Sequence, residues 1–110
     1  MRILDFRVRG QNLGKLPGCD FSNIVAGSQG YLLAKFHFVG TEWDECKKVA
    51  SFTVGELEHP VVLDENDECV IPAEALRGEQ MIVKVIGGRV GTEYRIPTGP
   101  MTIKLKQEVR

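Results

Sequence analysis

Apolar residues recur at every second position through most of this chain, and that period restricts what it can fold into. Leu4, Phe6 and Val8 alternate with Asp5, Arg7 and Arg9. Successive side chains of an extended strand point to opposite faces, so such a stretch buries one face and wets the other. The same reading holds for Leu32, Ala34, Phe36 and Phe38, for Ala50, Phe52 and Val54, for Met81, Val83 and Val85, and for Met101, Ile103 and Leu105. Shorter strands are expected at Pro60–Asp64, Glu68–Ile71 and Thr92–Ile96. A period of two leaves helix little room. The exception is Ile71–Gly78, where Pro72 suits a first helical position and Gly78 a stop.

Turn residues fall between these stretches. Gly10-Gln11-Asn12 and Leu16-Pro17-Gly18 end the first strand, and Asp64–Asp67 reads as a hairpin tip. Gly87-Gly88-Arg89-Val90-Gly91 reads as a turn, and Pro97-Thr98-Gly99-Pro100 leads into the last strand. About seven or eight short strands spaced by turns predict an all-β fold, an antiparallel two-sheet sandwich with one short helical turn near 72–77. A small barrel is the alternative. A length of 110 residues is the common size of one domain, so residues 1–110 are expected to form a single unit.

Charge excludes some functions. Fourteen basic and fifteen acidic residues give a net charge of −1, and no block of like charges interrupts their mixing. That balance supplies no overall field for nucleic acid. No stretch is apolar and long enough to span a bilayer, and the start Met1-Arg2-Ile3-Leu4-Asp5 lacks the apolar centre of a signal peptide. The expectation is a cytoplasmic product whose three cysteines, Cys19, Cys46 and Cys69, are reduced thiols, with a Cys46–Cys69 bridge left open.

Candidate chemistry is sparse. His37, His59, Cys46 and Cys69 could in principle hold zinc, but structural sites bring ligands in close pairs and these stand alone. A nucleophilic cysteine needs a base or another source of thiolate stabilisation, and none adjoins Cys46 or Cys69. Asp64–Glu68 lacks the spacing of a calcium loop, and Gly10–Lys15 lacks that of a phosphate loop. No catalytic residue, cofactor site or metal site is expected. The sole tryptophan, Trp43, is expected to close one end of the core beside Phe36, Phe38 and Phe52. Tyr31, Trp43 and Tyr94 are the aromatics from which a carbohydrate or small-ligand platform would have to be built.

The order of features supports a family resemblance. Tyr31 and an alternating strand precede Trp43-Asp44-Glu45-Cys46, Ala50-Ser51-Phe52, Cys69-Val70-Ile71-Pro72 and Tyr94-Arg95-Ile96-Pro97. The succession resembles the immunoglobulin-like N-terminal domain of upper baseplate and minor tail proteins of phages and prophages of Gram-positive hosts. The resemblance implies an immunoglobulin-like sandwich, found in the virion or in the host cytoplasm during assembly, whose partners are other phage structural proteins or further copies of itself. It implies structural roles for Trp43, Phe52, Cys69 and Pro72 in the core and crossing turn. Longer relatives continue into fibre or receptor-binding segments. A chain ending at Arg110 is therefore expected to act as an adaptor, decoration or accessory component. Edge strands with free backbone groups are expected to pair with a partner chain, the outward rows Asp5-Arg7-Arg9 and Thr102-Lys104-Lys106 limiting uncontrolled pairing and, if they lie at a sheet edge, setting register against an acidic partner.

Overall fold

A computed structural model describes residues 1–108 and holds nine strands: β1 (Arg2–Arg9), β2 (Asn12–Lys15), β3 (Leu32–Val39), β4 (Lys47–Val54), β5 (Leu57–Val62), β6 (Glu68–Val70), β7 (Gln80–Gly88), β8 (Arg95–Pro97) and β9 (Met101–Lys104). They form a four-stranded sheet in the order β2-β1-β3-β6 and a five-stranded sheet in the order β5-β4-β7-β8, with β9 also on β7. The two sheets make a β-sandwich. The helical segment is a single 3-10 turn at Ala73–Leu76, which buries Ala75 and Leu76. Among the described residues no helix is long and apolar enough to cross a membrane.

The alternation of the sequence becomes the core directly. Leu4, Phe6 and Val8 of β1 and Leu32, Ala34 and Phe36 of β3 face Ala50 and Phe52 of β4 and Met81, Val83 and Val85 of β7, and all are buried. Phe6 stacks on Phe36 at 4.8 Å between centroids and meets Phe21 edge-on at 5.1 Å. Such pairs add to the burial of their area. Cys69 of β6 points inward and is buried, whereas Phe38 is only partly buried and Pro72 is half-buried at the start of the 3-10 turn. All three cysteines are free thiols, so Cys46 and Cys69 are not bridged.

Several local expectations are corrected. The four-stranded sheet is mixed, because β1 and β3 run parallel, Arg2 opposite Leu32 through Arg9 opposite Val39. Parallel neighbours need a long crossover, which residues 10–31 provide. That crossover is part of the core. Phe21, Ile24 and Ala26 are buried, and Ala26 N–H and Ile24 C=O pair with Lys106. The Arg2 guanidinium ties the crossover down by donating to the carbonyls of Asp20, Ser22 and Asn23. Arg2→Ala should therefore speed amide exchange selectively over residues 20–26 while the β4 and β7 amides keep their protection.

Gly10-Gln11-Asn12 does not simply end a strand. It turns the chain into β2, with Arg9 opposite Asn12. Gly55, at φ +59°, likewise folds β4 onto β5, so β5 begins at Leu57 and not at Pro60. Asp64–Asp67 is not a hairpin tip. It carries the chain from β5 in one sheet to β6 in the other, with the Asp64 carboxylate accepting from the N–H groups of Asn66 and Glu68. Gly87 and Gly88 are strand residues of β7. The strand expected at Thr92–Ile96 shrinks to β8, because the Thr92 hydroxyl holds the Tyr94 N–H in a turn.

Beyond Pro97 the ladder to β7 is continued by Thr98. Its N–H donates to Val85 C=O at 2.8 Å, and its hydroxyl oxygen accepts from Val85 N–H at 3.0 Å. Thr98→Val would leave a buried N–H unpaired, and a loss of about 1–3 kcal/mol in urea-unfolding stability is expected.

Candidate interaction face

Each outer face carries an apolar row beside charged residues; on the four-stranded sheet that row is Ile3, Leu33 and Val70. On the four-stranded sheet, Asp5, Lys35 and Glu68 stand side by side on β1, β3 and β6. Lys35 pairs with Glu68 at 2.9 Å, which raises the Lys35 pKa, and His37 pairs with Asp5 at 2.8 Å. Opposite charges on neighbouring strands are thus neutralised in place. The row Asp5-Arg7-Arg9 does not lie at an edge, since β1 sits between β2 and β3.

On the five-stranded sheet the strand register assembles an apolar row. Val49 of β4 lies opposite Val62 of β5 and Ile86 of β7, and Ile86 lies opposite Pro97 of β8. All four belong to the outward parity, opposite to that of the buried Ala50, Val85 and Ile96. Val62 is 68% exposed, and Val49, Ile86 and Pro97 are half-buried by their neighbours. Alongside runs the row Lys47, Gly88, Arg95. Gly88 carries no side chain, and a hollow of about 420 Å³ opens there, lined by Lys47, Val49, Ile86, Arg95 and the turn residues Arg89 and Tyr94. On the other side of the apolar row stand Pro60, Ser51 and Lys84. Ser51 is buried although it faces outward, and its hydroxyl donates to Glu58 at 2.7 Å.

The rim of the hollow is held by a packed loop. Trp43, 1% exposed, donates its indole N–H to Gly10 C=O at 2.8 Å and lies 4.9 Å from the Phe38 ring. Tyr94 donates its hydroxyl to Glu42 C=O at 2.6 Å, and Arg89 lies 4.0 Å over the Tyr94 ring while donating to Asp44 C=O. These bonds fix residues 42–46 against the end of β7.

Three of the edge strands are poor templates for pairing. β5 carries Pro60 and β8 carries Pro97, each lacking an N–H to offer, and β6 has three residues. Of the charged rows singled out in the sequence, Thr102 and Lys104 do lie on β9, at the rim of the five-stranded sheet.

The residues weighed for chemistry lie apart. His37 is on the outer face of β3, His59 is on β5 and turned toward the core side, Cys46 precedes β4, and Cys69 is inside the sandwich. Among the described residues no three His, Cys, Asp or Glu side chains converge as metal ligands would. Burial pushes the Cys69 thiol up to about 12 from its ordinary 9.0. The unfolded chain then gives up this proton before the folded chain does. The contribution of Cys69 to stability is therefore complete below pH 9 and is lost as pH rises from 9 toward 12. Cys69→Ala should flatten the fall of Tm between pH 8 and pH 11, and Cys69 in the folded protein should resist iodoacetamide at pH 8. The aromatics Tyr31, Trp43 and Tyr94 do not form a ligand platform, because Trp43 is buried and Tyr94 packs on the 42–46 loop.

No protein-family model matches the chain, and no curated protein matches it.

Proposed function

We propose that this domain is a non-enzymatic protein-interaction module that docks through the outer face of its five-stranded sheet, as an adaptor, decoration or accessory component of a phage tail or baseplate. The observation that carries the docking reading is the row Val62, Val49, Ile86 and Pro97, four apolar side chains drawn from four strands onto one outer face. An apolar strip rimmed by polar groups is the usual anatomy of a recognition surface. The prolines of β5 and β8 and the shortness of β6 disfavour strand addition at those three edges. The assignment to a phage particle rests on the order of Trp43, Phe52, Cys69 and Pro72 and the strands around them, the pattern by which the sequence resembles upper baseplate and minor tail domains. The immunoglobulin-like part of the reading is supported by the pairing of β3 with β6, of β4 with β5 and β7, and of β7 with β8 and β9, which can be matched to B with E, C with its flanking strand and F, and F with G. The parallel β1 is an addition to that pattern.

Mass spectrometry of phage particles released from the source strain tests the reading. The chain is expected in particles at a stoichiometry matching the ring symmetry of the tail, and Ile86→Glu is expected to remain folded in the lysate but to be missing from particles. Absence of the wild-type chain from particles while it is abundant in the lysate would remove the particle role.

A further inference from the structure

We infer that the partner of this face presents an apolar strip bordered by carboxylates, one of which seats in the hollow over Gly88 between Lys47 and Arg95. This rests on the docking reading above and specifies the chemistry of what docks. Register places Lys47, Gly88 and Arg95 in one row across β4, β7 and β8, immediately beside the apolar row. Because Gly88 has no side chain, two cations flank an open recess. Lys84 borders the apolar row on its other side, beside Ser51. Lys47, Lys84 and Arg95 enter no ion pair among the described residues, in contrast to Lys35 and Lys48. Of the other charges at the hollow, Arg89 is already committed to the carbonyls of Asp44 and Glu42, and Glu93 is the one carboxylate. Glu58, further along the outward face of β5, is engaged by Ser51.

A chain of net charge −1 thus places three cations outside any ion pair of the described residues around the row Val62, Val49, Ile86 and Pro97, whereas the lysine beside the apolar row of the other sheet, Lys35, is paired with Glu68. A second copy is a poor occupant of this face, because two such faces would bring Lys47, Lys84 and Arg95 of each copy together. A nucleic-acid backbone would meet the cations but would leave the central apolar row without a counterpart. A protein segment with apolar side chains between acidic ones satisfies both at once, and the carboxylate over Gly88 would accept from two cationic donors.

Selection from a displayed random-peptide library tests this, using the full chain in three forms: wild type, Ile86→Glu, and the combined Lys47→Glu, Lys84→Glu and Arg95→Glu variant. All substitutions lie on the outward face, and circular dichroism with a melting curve confirms that each form is folded. Wild type should enrich peptides with an apolar core flanked by Asp or Glu. Their affinity should fall by about tenfold or more on Ile86→Glu, and by a similar factor between low salt and ~0.5 M salt. The charge-reversed form should enrich peptides flanked by Lys or Arg. Should Ile86→Glu fail to fold, Val62→Asp at the most exposed position of the row takes its place.

Peptides that compete at the Val49–Ile86 row with no preference for acidic flanks would overturn the partner chemistry and leave the docking reading standing. Peptides insensitive to Ile86→Glu and Val62→Asp, or no enrichment at all, would overturn both. Salt-sensitive binding of labelled oligothymidylate lost in the charge-reversed form, with no peptide enriched, would replace the inference by a nucleic-acid one. A concentration-dependent dimer in sedimentation that Val49→Asp dissolves would assign the face to a second copy and overturn it equally.

Discussion

Gly87→Ala should destabilise the domain by about 2–3 kcal/mol, lowering Tm by roughly 10 °C or more, although it adds one methyl group. A Cβ at Gly87 would stand 2.7 Å from Cζ3 and 2.8 Å from Cε3 of Trp43, and 3.3 Å from Cβ of Cys46. No real Cβ tolerates the first two distances, so either the indole or the β7 backbone must shift. The indole is not free to move. Its N–H is bonded to Gly10 C=O, and its ring is packed against Phe38. The strand is equally committed, because Gly87 pairs with Lys48 on one side and Ile96 on the other. Urea unfolding followed by far-ultraviolet circular dichroism reads the effect directly. A change within about 0.5 kcal/mol, the range of an inconsequential surface substitution, would mean that Trp43 does not sit over Gly87.

Trp43→Ala should have the larger effect, a loss of about 3–5 kcal/mol, which for a domain of ordinary stability leaves a substantial unfolded fraction. The substitution empties the volume between Phe38 and Gly87 and strands the Gly10 carbonyl, which sits in the turn between β1 and β2. Trp43→Phe should recover part of that loss, since it restores apolar volume without the indole N–H. The decisive comparison is the double variant. If the strain of Gly87→Ala comes from the indole, then adding it to Trp43→Ala should cost well under its value in the wild type. The coupling energy should be about 1 kcal/mol or more. Additive losses would separate the two positions and refute the packing described here.

The same contact bears on the face proposed for docking. Gly87 is pressed against Trp43 on the inner side of β7, and its neighbour Gly88 leaves the outer hollow open. Two adjacent glycines therefore act on opposite faces of one strand, as the alternation of a strand requires. A Cβ at Gly88 meets only the Tyr94 carbonyl, at 3.6 Å, so Gly88 accepts a Cβ where Gly87 does not. Gly88→Leu should accordingly fold, and it should block the recess between Lys47 and Arg95.

Much of the fold is legible in the residues themselves. Alternation alone placed β1, β3, β4, β7 and β9 with the correct faces inward, because burial of one side of a pleated strand writes itself into every second position. Turn chemistry and Pro72 placed the 3-10 turn. The strand β2, Asn-Leu-Gly-Lys, gave no such signal, because it is half-exposed and has little to bury. The glycines at 87 and 88 read as a turn, because local sequence cannot distinguish a glycine chosen for its dihedral angles from one chosen for the space a tryptophan needs.

The face proposed for docking was not legible at all. Val62, Val49, Ile86 and Pro97 come from four separate strands, and each taken alone is an ordinary strand residue. Only pairing register brings them into one row and sets Lys47 and Arg95 on either side of Gly88. The parallel approach of β1 to β3 is likewise a tertiary result, decided by how residues 10–31 fill the open end of the sandwich. The sequence by itself determined which face of each strand is buried, since that preference is set by solvent and is local to the strand. Which strands became neighbours, and hence which outward residues form a surface, was decided by packing over the whole chain. Register couples residues far apart in sequence, and no short stretch records it.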